Sequence, residues 1–329
     1  MQTRKIFILL LATLFLSEFS NSQTFFTQPL AHTFSIVARD TVTGEMGVAV
    51  QSHWFSVGSV VSWGEAGVGV VATQSFVNPS FGIKGLELLK KGLTPQEAVD
   101  KLIAEDNAGD VRQLAILDSK GRAAAWTGNK CIPEAGHIVG DNFSVQANLM
   151  LNDKIWPAMA KAYKETNAPL AERMLASLIA AQDAGGDIRG KQSAAILVVK
   201  GTSTGKIWED RVIDLRVEDN EEPLKEIERI LKVYRAYEHM NAGDLAVEKN
   251  DMKKAMEEYN TAQKMFPDNE EMQFWTAVTL ANNGRLEDAL PIFKSVFTKN
   301  NNWKILTPRL IKVGQLTVDE KELNKILEQ

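Results

Sequence analysis

The residue with the most specific chemical potential is Thr33, which opens a short β-prone run directly after His32. A threonine hydroxyl is a poor nucleophile unless a base lies beside it. If the chain is cut between His32 and Thr33, the new α-amine can take the hydroxyl proton, because a terminal amine has a reference pKa of about 7.7 to 8.0. Thr33 would then supply both nucleophile and base for attack on an amide carbonyl. In an uncut chain, Thr33 is only a β-prone residue at a strand start.

Two serines, Ser35 and Ser52, are alternative hydroxyls near the same point of the chain. Side chains alternate between the two faces of a strand, so Ser35 is expected on the same face as Thr33. We therefore predict a supporting role for Ser35, as a substrate contact beside Thr33. Ser52, directly after the next β-prone run, is likewise predicted to contact the substrate.

A second polar cluster, residues 187–193, follows a Gly-Gly pair. Arg189 could bind a substrate carboxylate, because a guanidinium matches carboxylate geometry with two hydrogen bonds. Asp187 would belong to the same substrate-binding group. An equally good interpretation is a surface network in which Asp187 pairs with Arg189 or Lys191.

The remaining candidates for substrate contacts are His53 and His137, which are far apart in the sequence. They show no His-x-x-x-His or Cys-x-x-Cys spacing, so we expect no metal site. Each could also be a structural histidine with its hydrogen bonds satisfied. The glycines of residues 64–69 lack the strand-to-helix context of a phosphate loop, so we expect no nucleotide and no other cofactor.

The elements that must position these residues begin with a hairpin. Two β-prone runs, residues 33–38 and 46–51, flank a turn that contains Asp40 and Gly44. Strand pairs then alternate with helix pairs as far as about residue 217. This order predicts an α+β domain, and periodicity alone does not choose among α+β arrangements.

Five motifs together select one arrangement. They are TFSIVARD at 33–40, GEMGVAVQSHWFSVGS at 44–59, GVGVVATQS at 67–75, AGH at 135–137 and GGDIRGKQSAA at 185–195. The hairpin formed by the first two motifs resembles the nucleophile hairpin of N-terminal nucleophile (Ntn) hydrolases and is similar to that of threonine asparaginases and isoaspartyl peptidases. Taken together, the motifs more closely resemble the Ntn-like family called domain of unknown function 1028.

This resemblance spans about residues 33–218 and implies a four-layer αββα sandwich with Thr33 as catalytic nucleophile. It also implies a cut between His32 and Thr33. Because the family has no settled activity, the resemblance supplies no substrate.

The charge and cysteine content exclude several classes of protein. The net charge is −5, the pI is about 5.6, and no block of Lys and Arg stands out. A nucleic-acid partner or an anionic membrane surface is therefore not expected. The only cysteine, Cys131, cannot form an intramolecular disulfide and is expected to be a small buried side chain.

The first 22 residues have the pattern of a secretory signal peptide, with Arg4 and Lys5 followed by an apolar run at 6–16. That run is too short to span a bilayer, which needs about 20 residues. We predict a soluble, exported protein, periplasmic or secreted, without membrane insertion. Residues 23–32 would form a short leader ahead of a domain over residues 33–219.

An acidic, proline-containing break near residues 219–223 predicts a second domain over residues 223–329, entirely helical. Ala255 and Tyr259 recur as Ala289 and Phe293 after 34 residues, which resembles about two tetratricopeptide repeats. Gly243, Ala262 and Pro267 occupy further repeat positions. Such a tail could dock a protein or peptide partner. It could also serve homo-oligomerisation or internal packing, and the pattern leaves these alternatives open.

Two functions fit these observations. The first is an exported Ntn-type amidohydrolase acting on a small amide, a peptide-like bond or a cell-wall fragment. The second is a non-catalytic ligand- or partner-binding protein on an Ntn-like scaffold, with a helical-repeat docking tail. They differ in whether Thr33 becomes a chain terminus.

Overall fold

The computed structural model describes residues 30–329, which fall into a unit that ends at Ile227 and a second unit, Glu228–Gln329. The predicted signal peptide and leader residues 23–29 lie outside the described residues. The first unit mixes helices with antiparallel sheets, and the second is helical. The prediction of an α+β region followed by a helical region is confirmed at this level.

The predicted hairpin is present as strands β2 (Thr33–Arg39) and β3 (Met46–Ser52). Its turn is closed by Asp40, whose Oδ1 accepts hydrogen bonds from the backbone N–H groups of Val42 and Thr43 at 2.8 and 2.9 Å. The antiparallel register places Thr33 opposite Ser52. The two hydroxyl residues therefore meet at the open end of the hairpin.

The hairpin lies at the centre of a six-stranded antiparallel sheet with the order β11-β10-β3-β2-β9-β8. Nearly every side chain of the inner strands is buried, which is why these strands are almost continuously apolar. The other strands are β8 (Gly136–Gly140), β9 (Phe143–Ala147), β10 (Ser193–Val199) and β11 (Arg211–Val217).

A second antiparallel sheet has the order β1-β5-β6-β7, with β4 also paired to β5. Its first strand belongs to the predicted leader. The strands are β1 (Leu30–Ala31), β4 (Ser62–Glu65), β5 (Gly69–Phe76), β6 (Arg112–Asp118) and β7 (Ala123–Thr127).

The two sheets face each other across one apolar cluster, which contains Val37 and Val48 from the first sheet and Val70 and Leu117 from the second. The helices of this unit are α1 (Gly58–Val61), α2 (Ser80–Lys90), α3 (Pro95–Ala104), α4 (Ile155–Glu165), α5 (Leu170–Asp183) and α6 (Ile207–Asp210). Helices cover the opposite faces of the sheets: α2 and α3 contact the five-stranded sheet, and α4 and α5 contact the six-stranded sheet.

The approach of α5 to the six-stranded sheet depends on Gly47. A Cβ atom at this position would lie 2.4 Å from Cε of Met174 and 3.0 Å from the carbonyl oxygen of Leu197. The missing side chain leaves room for the methionine of α5 against the sheet.

The helical region begins with α7, whose first residues precede the boundary between the two units. Its helices are α7 (Pro223–Glu248), α8 (Met252–Met265), α9 (Glu270–Asn282), α10 (Leu286–Lys299), α11 (Asn302–Lys312) and α12 (Glu320–Leu327). Tyr259 and Phe293, 34 residues apart, are fully buried. A Cβ at Gly243 would lie 2.3 Å from Cε1 of Tyr259, so the glycine makes room for the ring.

Over residues 30–329, none of the helices combines the length and the apolar character that a membrane crossing needs. Cys131 is buried, and burial raises the pKa of its thiol.

Candidate active site at the start of strand β2

The peptide bond between His32 and Thr33 lies where the chain passes from one sheet to the other. On its acyl side, Leu30 and Ala31 pair with Phe76 and Ser75 of β5 in the five-stranded sheet. On its amine side, Thr33 opens β2 in the six-stranded sheet. Ala31, His32 and Thr33 are 0%, 3% and 0% exposed, so the bond is enclosed by the protein.

The carbonyl oxygen of His32 accepts two side-chain hydrogen bonds. One comes from Ser52 Oγ at 2.5 Å and the other from Arg189 Nη2 at 2.7 Å. A hydroxyl and a guanidinium aimed at one carbonyl oxygen withdraw electron density from the carbonyl carbon. Such donors also stabilise the negative charge that forms on the oxygen when a nucleophile adds.

Asp187 fixes the position of Arg189. The carboxylate accepts from Arg189 Nε at 3.0 Å and Nη2 at 2.7 Å, and its side chain is fully buried. It also accepts from the backbone N–H groups of Arg189 at 2.9 Å and His53 at 3.3 Å. The charge of Asp187 is therefore compensated by several donors, which a buried carboxylate requires. Lys191 pairs with Glu222 instead.

One of the two interpretations of the sequence is a surface network in which Asp187 pairs with Arg189 or Lys191. The pair exists, but its carboxylate is buried and its guanidinium reaches the carbonyl before Thr33. It is therefore part of the candidate site rather than a solvated network.

Thr33 is held by both its side chain and its backbone. Its hydroxyl donates to the carbonyl oxygen of Ala31 at 2.5 Å. Its own carbonyl oxygen accepts from the backbone N–H of Asn148 at 3.1 Å and from Gln74 Nε2 at 3.2 Å. Thr33 is therefore hydrogen-bonded to Gln74 on β5 of the five-stranded sheet and to Asn148, which directly follows β9 of the six-stranded sheet.

Ser35 belongs to a buried amide network between the sheets. Its hydroxyl donates to Gln74 Oε1 at 2.6 Å and accepts from Gln146 Nε2 at 2.6 Å. Gln74 Nε2 in turn donates to Gln113 Oε1 at 2.6 Å, and Asn148 Nδ2 donates to the same oxygen at 2.9 Å. These five side chains are fully buried.

The four amide residues of this network were missed in the sequence. The signal for them is a polar residue inside an otherwise apolar, buried strand, as in GVVATQSF and FSVQA. A buried amide must be hydrogen-bonded, so such a residue implies partners on neighbouring strands. They are Gln74, Gln113, Gln146 and Asn148.

The imidazole of His32 lies between the two sheets. Its Nδ1 is 2.8 Å from Asn148 Oδ1, and its ring packs edge-on against Phe76 with the centroids 5.5 Å apart. Because Asn148 Nδ2 already donates to Gln113, Oδ1 is the acceptor and His32 carries its proton on Nδ1. Burial lowers the pKa of His32, which favours the neutral ring.

His137 joins the network indirectly. Its Nδ1 is 2.8 Å from Thr127 Oγ1, and that hydroxyl accepts from Gln113 Nε2 at 2.8 Å. Burial lowers the pKa of His137. His53 differs, because it contributes its backbone N–H to Asp187 while the residue itself is exposed.

Of the seven predicted site residues, Thr33 forms the bond after His32, and Ser52 and Arg189 donate to the carbonyl oxygen of that bond. Asp187 holds Arg189, and Ser35 is linked through Gln74 to the carbonyl oxygen of Thr33. His137 is connected through Thr127 and Gln113. The ring of His53 lies on the loop that carries Asp187 and Arg189, with its Nδ1 3.4 Å from the carbonyl oxygen of Lys191. In the part of the chain that the structure describes, residues 30–329, no three His, Cys, Asp or Glu side chains are grouped so that they could hold a metal ion.

Comparison with known proteins identifies relatives of the first unit. The model of a family described as a family of unknown function, DUF1028, matches residues 33–227, starting at Thr33 itself. A crystal structure of a DUF1028 protein from Silicibacter pomeroyi is 30% identical, with a TM-score of 0.56, over 61% of this chain and 85% of that chain. Anbu (ancestral beta-subunit) from Yersinia bercovieri is 13% identical, with a TM-score of 0.28, over 60% of this chain and 92% of that one. A search of curated proteins finds no match.

Proposed function

This chain belongs to the DUF1028 family, and we propose that it is an exported amidohydrolase of the N-terminal nucleophile type, with Thr33 as its nucleophile. The observation that carries the proposal is the doubly hydrogen-bonded carbonyl of His32, held by Ser52 and Arg189. A hydroxyl and a guanidinium held by a buried carboxylate are suited to stabilise negative charge on this oxygen.

Two further observations support an Ntn-type αββα sandwich for residues 33–219. The two antiparallel sheets share a core, and each carries a helix pair on its opposite face. The match to the family begins at Thr33, which makes this residue the first of the shared domain.

The first step of the proposed mechanism activates the enzyme. The Thr33 hydroxyl adds to the carbonyl carbon of His32, and the negative charge on the oxygen is stabilised by Ser52 and Arg189. The bond from His32 to the Thr33 nitrogen then breaks, and the nitrogen takes the hydroxyl proton. Water hydrolyses the resulting ester, which leaves His32 with a carboxylate and Thr33 with a free α-amine and a free hydroxyl.

The second step repeats this chemistry on a substrate. The α-amine takes the hydroxyl proton of Thr33 as the oxygen attacks a substrate amide carbonyl, and the amine of the substrate leaves with that proton. Water then releases the acyl group. Ser52 and Arg189 hold the substrate oxygen as they hold that of His32. We propose an amide or peptide-like substrate, with Arg189 facing the acyl carboxylate after hydrolysis.

A second candidate, a binding protein on the same scaffold, has an observation in its favour. In the uncut chain the hydroxyl of Thr33 donates to Ala31 rather than to a base, and it is fully buried. We also propose that the tail is tetratricopeptide-like, a proposal supported by the burial of Tyr259 and Phe293 at a spacing of 34 residues, with Gly243 against the first ring. In this second candidate function the tail would dock a partner.

The deciding experiment follows the chain terminus. Purified full-length protein would be incubated and sampled for intact mass and N-terminal sequence, alongside Thr33→Ala. Accumulation of a chain that begins at Thr33, in the wild type alone, supports the amidohydrolase. A folded wild-type chain that keeps its leader under all conditions would leave the binding protein as the function.

A further inference from the structure

The leader strand β1 occupies an edge that the rest of the fold leaves free. Strand β4 pairs with β5 only from Gly69 to Ala72, and β1 pairs with Ser75 and Phe76 farther along the same edge. Among the described residues, no other strand pairs with β5 on this side. If the leader leaves after a cut before Thr33, the backbone of this part of β5 becomes an open edge beside the new terminus.

An open strand edge presents unpaired N–H and C=O groups, and an extended peptide can add to it as a further strand. The position of this edge makes it relevant to Thr33, since Ala31 on β1 also accepts the hydrogen bond from the Thr33 hydroxyl. A peptide that replaced β1 would therefore end with its last carbonyl group at the nucleophile.

The side chains of the leader show what such a peptide would meet. The ring of His32 lies between Phe76 and Asn148, where a planar group with an N–H donor is satisfied. Ala31 is fully buried in the core shared by the two sheets, so a larger side chain would collide there. Leu30 is only partly buried and tolerates variation.

The backbone opposite Ala31 is also unusual. Ser75 has a φ of 72°, a left-handed conformation that costs a non-glycine residue free energy. Such residues cluster at ligand sites, where the surrounding structure holds them in place. Here the strained residue lies at the point of β5 that pairs with the leader.

Resting on the proposed function, we propose that the substrate is an extended peptide rather than a free amino-acid amide. Its acyl part adds as a strand to β5 and places its last three residues where Leu30, Ala31 and His32 lie in the uncut chain. The subsite next to the scissile bond selects a planar side chain with an N–H donor, and the following subsite selects alanine or glycine. The leader is thus an internal copy of the acyl product.

The test uses the full chain in a Thr33→Ala background, so that it does not depend on chemistry at Thr33. Ala31→Arg is added to displace the leader from the buried site, and Val42→Arg, at a position 93% exposed, is the matched control. The probe is a fluorescent peptide, Gln-Pro-Leu-Ala-His with a free carboxylate, which copies residues 28–32. Binding is measured by anisotropy, with circular dichroism as the check on folding.

We expect the probe to bind the Ala31→Arg chain at least tenfold more tightly than the control chain. Adding Phe76→Ala, or changing the last residue of the probe to aspartate, should reverse that gain. If Ala31→Arg does not fold, His32→Asp is the second displacing variant, because it puts a carboxylate in the buried site of the His32 ring. Three results would each overturn the proposal. The probe could bind the displaced and control chains equally, a scrambled probe could bind as well as the probe itself, or both displacing variants could fail to fold without the leader in place. The proposed function is tested separately. It would be contradicted if Thr33→Ala released its leader, or if the wild-type chain did not release it.

Discussion

Arg189 and His32 are 157 positions apart in the sequence, yet Nη2 of the arginine donates to the carbonyl oxygen of the histidine at 2.7 Å. The contact depends on Asp187, which holds the guanidinium with two hydrogen bonds. This contact places a positive charge beside the peptide bond between His32 and Thr33. The polarised carbonyl belongs to His32, so attack by Thr33 would release the leader.

Replacing Ser52 by alanine should slow release of the leader by about 10²- to 10³-fold, the usual effect of removing one donor to an oxyanion. The fold should persist, because the change deletes only one hydroxyl. The time course of intact mass measures the rate. Ser59→Ala, on an exposed serine, is the control. Equal rates in the two variants would show that Ser52 does not act on the His32 carbonyl.

Arg189→Lys should also impair release, because an ammonium cannot reproduce the two-point pairing with Asp187. We expect Arg189→Gln to be worse, since it leaves the buried carboxylate without a cation and destabilises the fold by about 3 kcal/mol. Urea unfolding separates this stability effect from the rate effect. A lysine variant that releases its leader at the wild-type rate would contradict the role of the guanidinium geometry.

Thr33→Ala should abolish leader release and amide hydrolysis, while Thr33→Ser should retain part of both, because it keeps a hydroxyl at the same position. The loss of stability in the alanine variant should be about 1 kcal/mol. N-terminal sequencing and assays on an amide library give the readout. Hydrolysis by the alanine variant at the wild-type rate would exclude Thr33 as the nucleophile.

Gln113→Leu should destabilise the protein by at least about 2 kcal/mol. The Oε1 atom of Gln113 accepts from Gln74 and Asn148, and its Nε2 donates to Thr127. The leucine would leave these buried partners without their hydrogen bonds. Gln96→Leu, on an exposed helix position, should change the free energy of unfolding by less than about 0.5 kcal/mol. Similar unfolding midpoints for the two variants would show that the network contributes little.

Stability should fall as the pH is lowered below about 6.5, the reference pKa of histidine. Burial lowers the pKa of both His32 and His137 in the folded state. The unfolded chain therefore binds more protons in this range, and the stability present above the unfolded pKa is lost as the pH falls toward the folded values. Melting temperatures from pH 7.5 to 5 should depend less on pH in His32→Gln. An unchanged slope in that variant would exclude His32 as a source of the effect.

The hairpin could be predicted from the sequence, because alternation and turn chemistry are local properties. The register that places Thr33 opposite Ser52 is known from the structure. The target of Arg189 could not be predicted, since its guanidinium suits a carboxylate in solution as well as a carbonyl in the core. Gln74 and Gln113 meet only because two strands from separate parts of the chain pair, and no local pattern encodes that pairing. The role of His53 as a substrate contact stays a prediction; its backbone N–H donates to Asp187, and its ring lies against the carbonyl of Lys191.

The buried amide network limits which amino-acid substitutions this fold can accept. Each member satisfies another, so Ser35, Gln74, Gln113 and Asn148 cannot be exchanged one at a time without leaving a buried donor or acceptor unpaired. An apolar neighbour that changes size alters the packing but leaves no donor or acceptor unpaired. These four positions should therefore vary jointly among homologues, as a group that is inherited or replaced whole.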